Sequence, residues 1–73
     1  MPYSRVVRAV YNYGAAAEDE LSFDEDDLIC IFGDKDESWL DGRLLTGDKC
    51  GLVPANYVEP VEVISRALLT MHV

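Results

Sequence analysis

Five short stretches of the chain carry the β-branched and aromatic side chains that strands favour, and polar or glycine-bearing segments separate them. The first covers residues 5–11, where two-residue alternation turns Val7 and Ala9 toward a core. Residues 28–32 form an unbroken apolar run of five, entered and left through acidic segments, which predicts a buried strand rather than a helix. A third strand is predicted over residues 39–45, with Gly42 where close packing leaves no room for a side chain. A tight turn at residues 46–49 leads into a fourth strand over 50–53, and a fifth follows over 58–61. Residues 12–27 are long and mostly polar, yet Leu21 and Phe23 are two residues apart and point the same way. That segment reads as a loop with two anchors in the core.

Between the last two strands, Pro54, Ala55 and Asn56 interrupt the apolar pattern. Proline has no amide donor and fixes its own φ, so a short turn or 3₁₀ step is expected there. Such a step presents Pro54 and Tyr57 together, with the Asn56 amide nearby, a combination suited to an extended, proline-bearing peptide. Five strands, two long polar loops and no helix within residues 5–61 predict an all-β fold, a small antiparallel barrel or orthogonal sandwich. Residues 1–4 read as an extension. Residues 62–73 do not continue the pattern and fit a strand, a helix or a linker equally well.

At 73 residues and 8.2 kDa only one domain fits, near the lower size limit for a single hydrophobic core. An apolar fraction of 49% is that of a folded globule. Charge narrows the function classes further. Fourteen acids against six bases give a net charge of −8, the wrong sign for a nucleic-acid backbone or an anionic membrane and the right one for a basic partner. Cys30 and Cys50 have no histidine or further cysteine at metal-ligand spacing and read as two reduced thiols. No apolar run reaches the roughly 18 residues of a membrane span, and the start lacks a secretory h-region, so a cytoplasmic protein is expected.

Four motifs in order carry a family resemblance. Ala9-Val10-Tyr11-Asn12-Tyr13 is similar to the ALYDY motif of SH3 domains, and Glu18-Asp19-Glu20-Leu21-Ser22-Phe23 to their acidic RT loop. Trp39 resembles the ligand-platform tryptophan, and Gly51-Leu52-Val53-Pro54-Ala55-Asn56-Tyr57-Val58 the G-x-[VIF]-P-x-N-Y-V segment. The resemblance covers residues 5–61 and implies a five-stranded barrel of two orthogonal antiparallel sheets. It also implies that Tyr11, Tyr13, Trp39, Pro54, Asn56 and Tyr57 form an aromatic floor for a polyproline II helix. Glu18, Asp19 and Glu20, with Asp36 and Glu37 opposite, would accept an Arg or Lys flanking the PxxP core. The chain departs from the family pattern in several places. Asn12 replaces an aspartate, removing a charge. Asp26 stands where glycine is frequent, with slight backbone strain expected. Leu40 takes the place of a second tryptophan, and Leu52 that of a tyrosine some members use for binding.

Catalysis has no team here. His72 is the sole histidine and sits in the tail with no nucleophile beside it, and no glycine-rich phosphate loop is present. Neither a cofactor nor a metal is expected. The expected function is a monomeric, non-catalytic module for proline-rich segments with basic flanks, inside an adaptor, cytoskeletal or endocytic protein. The alternative is a structural or self-associating barrel that uses residues 62–73 or another face. A ubiquitin-binding subset of the family is a third idea. Its members resemble one another in carrying phenylalanine at the last aromatic position, which Tyr57 does not match.

Overall fold

The computed structural model describes residues 5–61, so the expectations for residues 1–4 and 62–73 lie outside the described residues. Five strands form, β1 (Arg5–Ala9), β2 (Leu28–Asp34), β3 (Trp39–Leu44), β4 (Cys50–Pro54) and β5 (Val58–Pro60), with a 3₁₀ turn over Ala55–Tyr57 between the last two. All neighbouring strands are antiparallel, in the order β4-β3-β2-β1-β5. The end strands of that order are consecutive in the chain. The 3₁₀ turn joins them directly and curls the sheet toward a barrel, without a hydrogen-bonded ladder between β4 and β5. β2 pairs with both β1 and β3, and its register shifts between Ile31 and Gly33, a bulge that bends the strand between its two partners.

The core consists of Val7, Ala9, Leu21, Phe23, Ile29, Ile31, Leu40 and Val53, each nearly or fully buried. Val7, Ala9 and the two loop anchors Leu21 and Phe23 lie where the alternation places them. Glycine at position 42 is required by packing, since a Cβ there would stand 2.9 Å from Ile31 Cδ1 and 3.1 Å from the Cys30 carbonyl oxygen.

Residues 28–32 are not buried throughout. Ile29 and Ile31 face the core, whereas Leu28 and Phe32 are 39% and 42% exposed. A domain of this size has no second layer to cover the outer face of its sheet, so half of the apolar run meets solvent. There the Arg43 guanidinium lies over the Phe32 ring, 5.9 Å from its centroid. Cys30 and Cys50 both sit opposite Arg43, one from each side, and both are free thiols. Two strand spacings, about 10 Å, separate them, too far for a disulfide.

β1 stops at Ala9, short of the predicted end at Tyr11, because the backbone changes partners there. Ala9 N donates to Asp27 O, Asp26 N donates to Ala9 O, and Val10 N donates to Tyr57 O. The turn that supplies these partners holds Asp26 at a φ of 77°, the left-handed backbone expected from an aspartate in a glycine position. Arg8 steadies it by bonding the Asp26 and Glu59 carboxylates together. Asn12 Oδ1 accepts from Glu25 N at 2.6 Å, and Asp27 Oδ2 accepts from Asp24 N at 2.9 Å. The substituted Asn12 and part of the acidic run at residues 24–27 are thus builders of the turn.

Candidate functional site: an aromatic row between two loops

Tyr13 is the hub of the site. Its backbone pairs with Phe23 through Tyr13 N to Phe23 O (2.8 Å) and Phe23 N to Tyr13 O (3.0 Å), which fixes the base of the β1–β2 loop. Its ring packs on Phe23 with centroids 5.6 Å apart, and meets Tyr57 at 5.3 Å and Trp39 at 6.4 Å, edge to face. Tyr57 in turn meets Tyr11 at 5.4 Å. Four rings therefore run in one row, Tyr11, Tyr57, Tyr13, Trp39. Tyr11 is 57% exposed, and the other three are half-buried. Asn56 is exposed on the 3₁₀ turn beside Tyr57. Pro54 is buried, paired with Trp39 across β3 and β4, so it supports the row from below and offers a ligand little surface.

Trp39 is positioned through its backbone. Asp36 Oδ1 accepts from Ser38 N (2.8 Å) and Trp39 N (3.0 Å), and Trp39 O accepts from Lys35 N (2.9 Å). Ala55 N donates to Ser38 O at 2.8 Å, which ties the β2–β3 loop to the 3₁₀ turn. The β1–β2 loop is fastened on the other side. Leu21 N donates to Leu52 O (2.9 Å) and Leu52 N to Asp19 O (2.8 Å). This close approach needs Gly51, where a Cβ would stand 2.8 Å from Leu21 N and 2.9 Å from Glu20 C.

The five acids expected in one specificity pocket fall into three settings. Glu18 and Asp19 are exposed on the β1–β2 loop, and Asp19 lines an open cleft of about 470 Å³ with Lys35, Asp41, Cys50, Gly51 and Leu52. Asp36 and Glu37 line a different hollow, with Arg5, Asp34, Leu40, Ala55 and Val58 among its walls. Glu20 is half-buried and turned inward. Its Oε1 accepts from the Tyr13 hydroxyl at 2.5 Å and from Ala16 N at 2.7 Å. The hydrogen bond to Glu20, helped by desolvation, pushes the Tyr13 hydroxyl up to about 12. The same bond and the one from Ala16 hold Glu20 below its usual range.

Sequence reasoning missed Asp41 and Lys35 as walls of the cleft that holds Asp19. For Asp41 the signal was present. It lies two residues after Trp39 on the same strand and therefore on the same outward face. Among the described residues, no group of three or more His, Cys, Asp or Glu side chains is placed to hold a metal ion.

Comparison with known proteins agrees with this architecture. Residues 9–59 match the family model described as a variant SH3 domain. The chain is 47% identical over 55 residues to the LIM and SH3 domain protein Lasp of Drosophila melanogaster, covering 75% of this chain and 8% of that protein. It is 41% identical to the actin cytoskeleton-regulatory complex protein SLA1 of Mycosarcoma maydis, covering 93% of this chain and 7% of that one. The chain thus spans under a tenth of the length of either relative. Among solved structures, the C-terminal SH3 domain of myosin IB from Entamoeba histolytica, bound to the EhFP10(GEF) peptide, superposes with a TM-score of 0.73. It is 40% identical, over 85% of this chain and all of that one. With the five-stranded barrel, the 3₁₀ turn and the matched motifs in place, the chain belongs to the variant SH3 domain family.

Proposed function

We propose that this chain is a non-catalytic interaction module whose aromatic row binds proline-rich segments in the polyproline II conformation, favouring those flanked by Arg or Lys. The observation that carries the reading is the row itself, four contiguous rings with exposed Asn56 at its side. A polyproline II ligand has three residues per turn and leaves its carbonyls free, so its ridges settle between flat rings while indole, hydroxyl and amide donors meet the carbonyls. Glu18 and Asp19 stand at the exposed end of the same loop, where a cationic flank is attracted. The peptide seated on the myosin IB relative supports this use of the barrel, and the cytoskeletal names of the relatives support a parent protein of adaptor or cytoskeletal type in the cytoplasm.

Affinity is expected on the order of micromolar, since a shallow groove has few desolvated anchors. An NMR titration of the labelled domain with PxxP peptides, carrying Arg at the N-terminal side, the C-terminal side or nowhere, tests the reading. Shifts should concentrate at Tyr11, Trp39, Asn56 and Tyr57, and Trp39→Ala should weaken binding by about tenfold or more while the fold persists. Absence of shifts with the folded wild-type domain at millimolar peptide would defeat the proposal.

A further inference from the structure

On the outer face of the barrel, pairing across the sheet sets side chains in rows. Val6 stands opposite Cys30, and Cys30 opposite Arg43. The ladder between β1 and β5 pairs Val7 with Pro60, so the next residue, Val61, stands opposite Val6, and its amide donates to Val6 O at 3.2 Å. Residues paired in this way point to the same side of a sheet, which puts Val61, Val6 and Cys30 in one row. Leu28 and Phe32 lie two residues to either side of Cys30 on β2 and share its face. The five make an apolar strip across β5, β1 and β2, with Leu28, Phe32 and Val61 exposed and Val6 and Cys30 half-buried. Arg43 lies over Phe32 and donates to Gly47 O at 2.8 Å, which marks the border of the strip toward β4. The strip shares no residue with the aromatic row.

The described residues end at Val61, inside this strip. Residues 62–73 follow, and Val63, Ile64, Leu68, Leu69 and Met71 make them strongly apolar. An extended residue covers about 3.3 Å and two strand spacings about 10 Å, so three or four residues beyond Val61 are enough to reach Cys30 and its neighbours. We propose that residues 62–73 dock on this strip of their own barrel, placing apolar side chains over Leu28, Cys30 and Phe32. A single segment of chain, about 10 Å across with its side chains, matches the width of the strip without forming a second layer. A second copy is the poorer occupant. The net charge of −8 on each molecule repels it, whereas a tethered segment is present at an effective concentration on the order of millimolar. The docking has a consequence for the aromatic row. β5 pairs with β1 through Val58–Pro60 and follows directly on the 3₁₀ turn that carries Asn56 and Tyr57. A segment laid from Val61 across β1 onto β2 holds that short strand in place, and with it one end of the row.

The two free thiols report on the cover from opposite sides of its border. Cys30 lies within the strip, and Cys50 lies beyond Arg43 and is exposed. In the full chain, reaction with N-ethylmaleimide followed by peptide mass should modify Cys30 more slowly than in the double variant Ile64→Asp, Leu68→Asp, by about fivefold or more, with Cys50 reacting alike in both. Equal rates at Cys30 would overturn the proposal. So would protection of Cys30 that fades as the wild-type protein is diluted, since the cover would then be a second copy.

A further readout uses the wild-type chain and stands even if the variant does not fold. Nuclear Overhauser contacts should join the Phe32 ring and the Leu28 methyl groups to methyl groups of Ile64, Leu68 or Leu69. Absence of these contacts, with those of the barrel core present, would overturn the proposal. Neither readout involves a peptide, so the docked segment is decided independently of the peptide-binding reading.

Discussion

Tyr13 and Glu20 make one hydrogen bond that is lost at either extreme of pH. The folded Glu20 is held below its ordinary value, so its contribution to stability is complete above about 4.5 and fades as pH falls through the folded value. Tyr13 is raised from 10 to about 12, so its contribution is complete below 10 and disappears as pH rises through 12. Denaturant midpoints measured across pH should therefore differ most between wild type and Glu20→Ala from about pH 5 to 10, and converge outside that range. A constant difference at all pH values would remove the linkage. Some single-residue placements were plain in the sequence. Tyr11, Tyr57 and Trp39 stand in the motifs that carry the family resemblance, and the fold puts their rings in one row through Tyr13. Glu20 was not legible in that way, because the string Glu18-Asp19-Glu20 shows three equivalent acids and only the folded loop turns the third one inward. Pro54 misleads for a similar reason. Its place beside the aromatics is written in the motif, but its burial depends on Trp39 lying across from it on β3.

Among the elements, the β1–β2 loop gains its order from an internal bridge between Tyr13 and Phe23 and from two fastenings to the barrel, at Leu52 and at the turn clamped by Arg8. The Leu52 fastening depends on Gly51. Gly51→Ala would drive a methyl group into the backbone of residues 20 and 21 and should push the loop away from β4. Gly42→Ala meets the flexible end of Ile31 first, and the stiffer Cγ2 methyl of Ile29 and the Cys30 carbonyl at slightly greater distances. Both changes should destabilise by about 1–3 kcal/mol, with Gly51→Ala the worse of the two. Amide exchange should separate them further, since only Gly51→Ala should release protection at Leu21 and Leu52. Equal exchange in both variants would show that the loop does not need this contact. The strands were legible to within a residue or two, since β-branched runs and turn residues mark them directly. The exposure of Leu28 and Phe32 was not. An apolar run of five looks the same whether one face or two are covered, and chain length, rather than the run, decides that no second layer exists.

For the molecule as a whole, the net charge of −8 acts on folding and on binding with opposite signs. Like charges on a domain this small repel one another, so moving from low salt to about 0.15 M, where the Debye length is about 8 Å, should raise the melting temperature. On the proposed peptide-binding reading, the same salt should weaken an Arg-flanked peptide more than an Arg-free one, because salt would screen the proposed attraction of Glu18 and Asp19. A melting temperature that falls with salt would mean that the ion pairs of Arg5 with Asp34 and of Arg8 with Asp26 and Glu59 outweigh the repulsion. At this scale strand count and turn spacing narrowed the fold to a small antiparallel barrel or an orthogonal sandwich, and the family resemblance chose the barrel. The division of the acids between two hollows on either side of the β2–β3 loop was not, because it depends on how that loop bends around Asp36.

That bend also governs time. Asp36 holds the Trp39 amide, and the Ser38 carbonyl is tied to the 3₁₀ turn, so the wall of the groove stands before any ligand arrives. A stiff ligand meeting a finished wall has no slow rearrangement to await, and association should run at the ordinary protein rate of about 10⁵–10⁷ M⁻¹s⁻¹. With the micromolar affinity proposed above, each encounter would last on the order of a tenth of a second to ten seconds. A protein carrying this domain would hold its partners through brief, repeated contacts, and lasting attachment would require several such contacts at once.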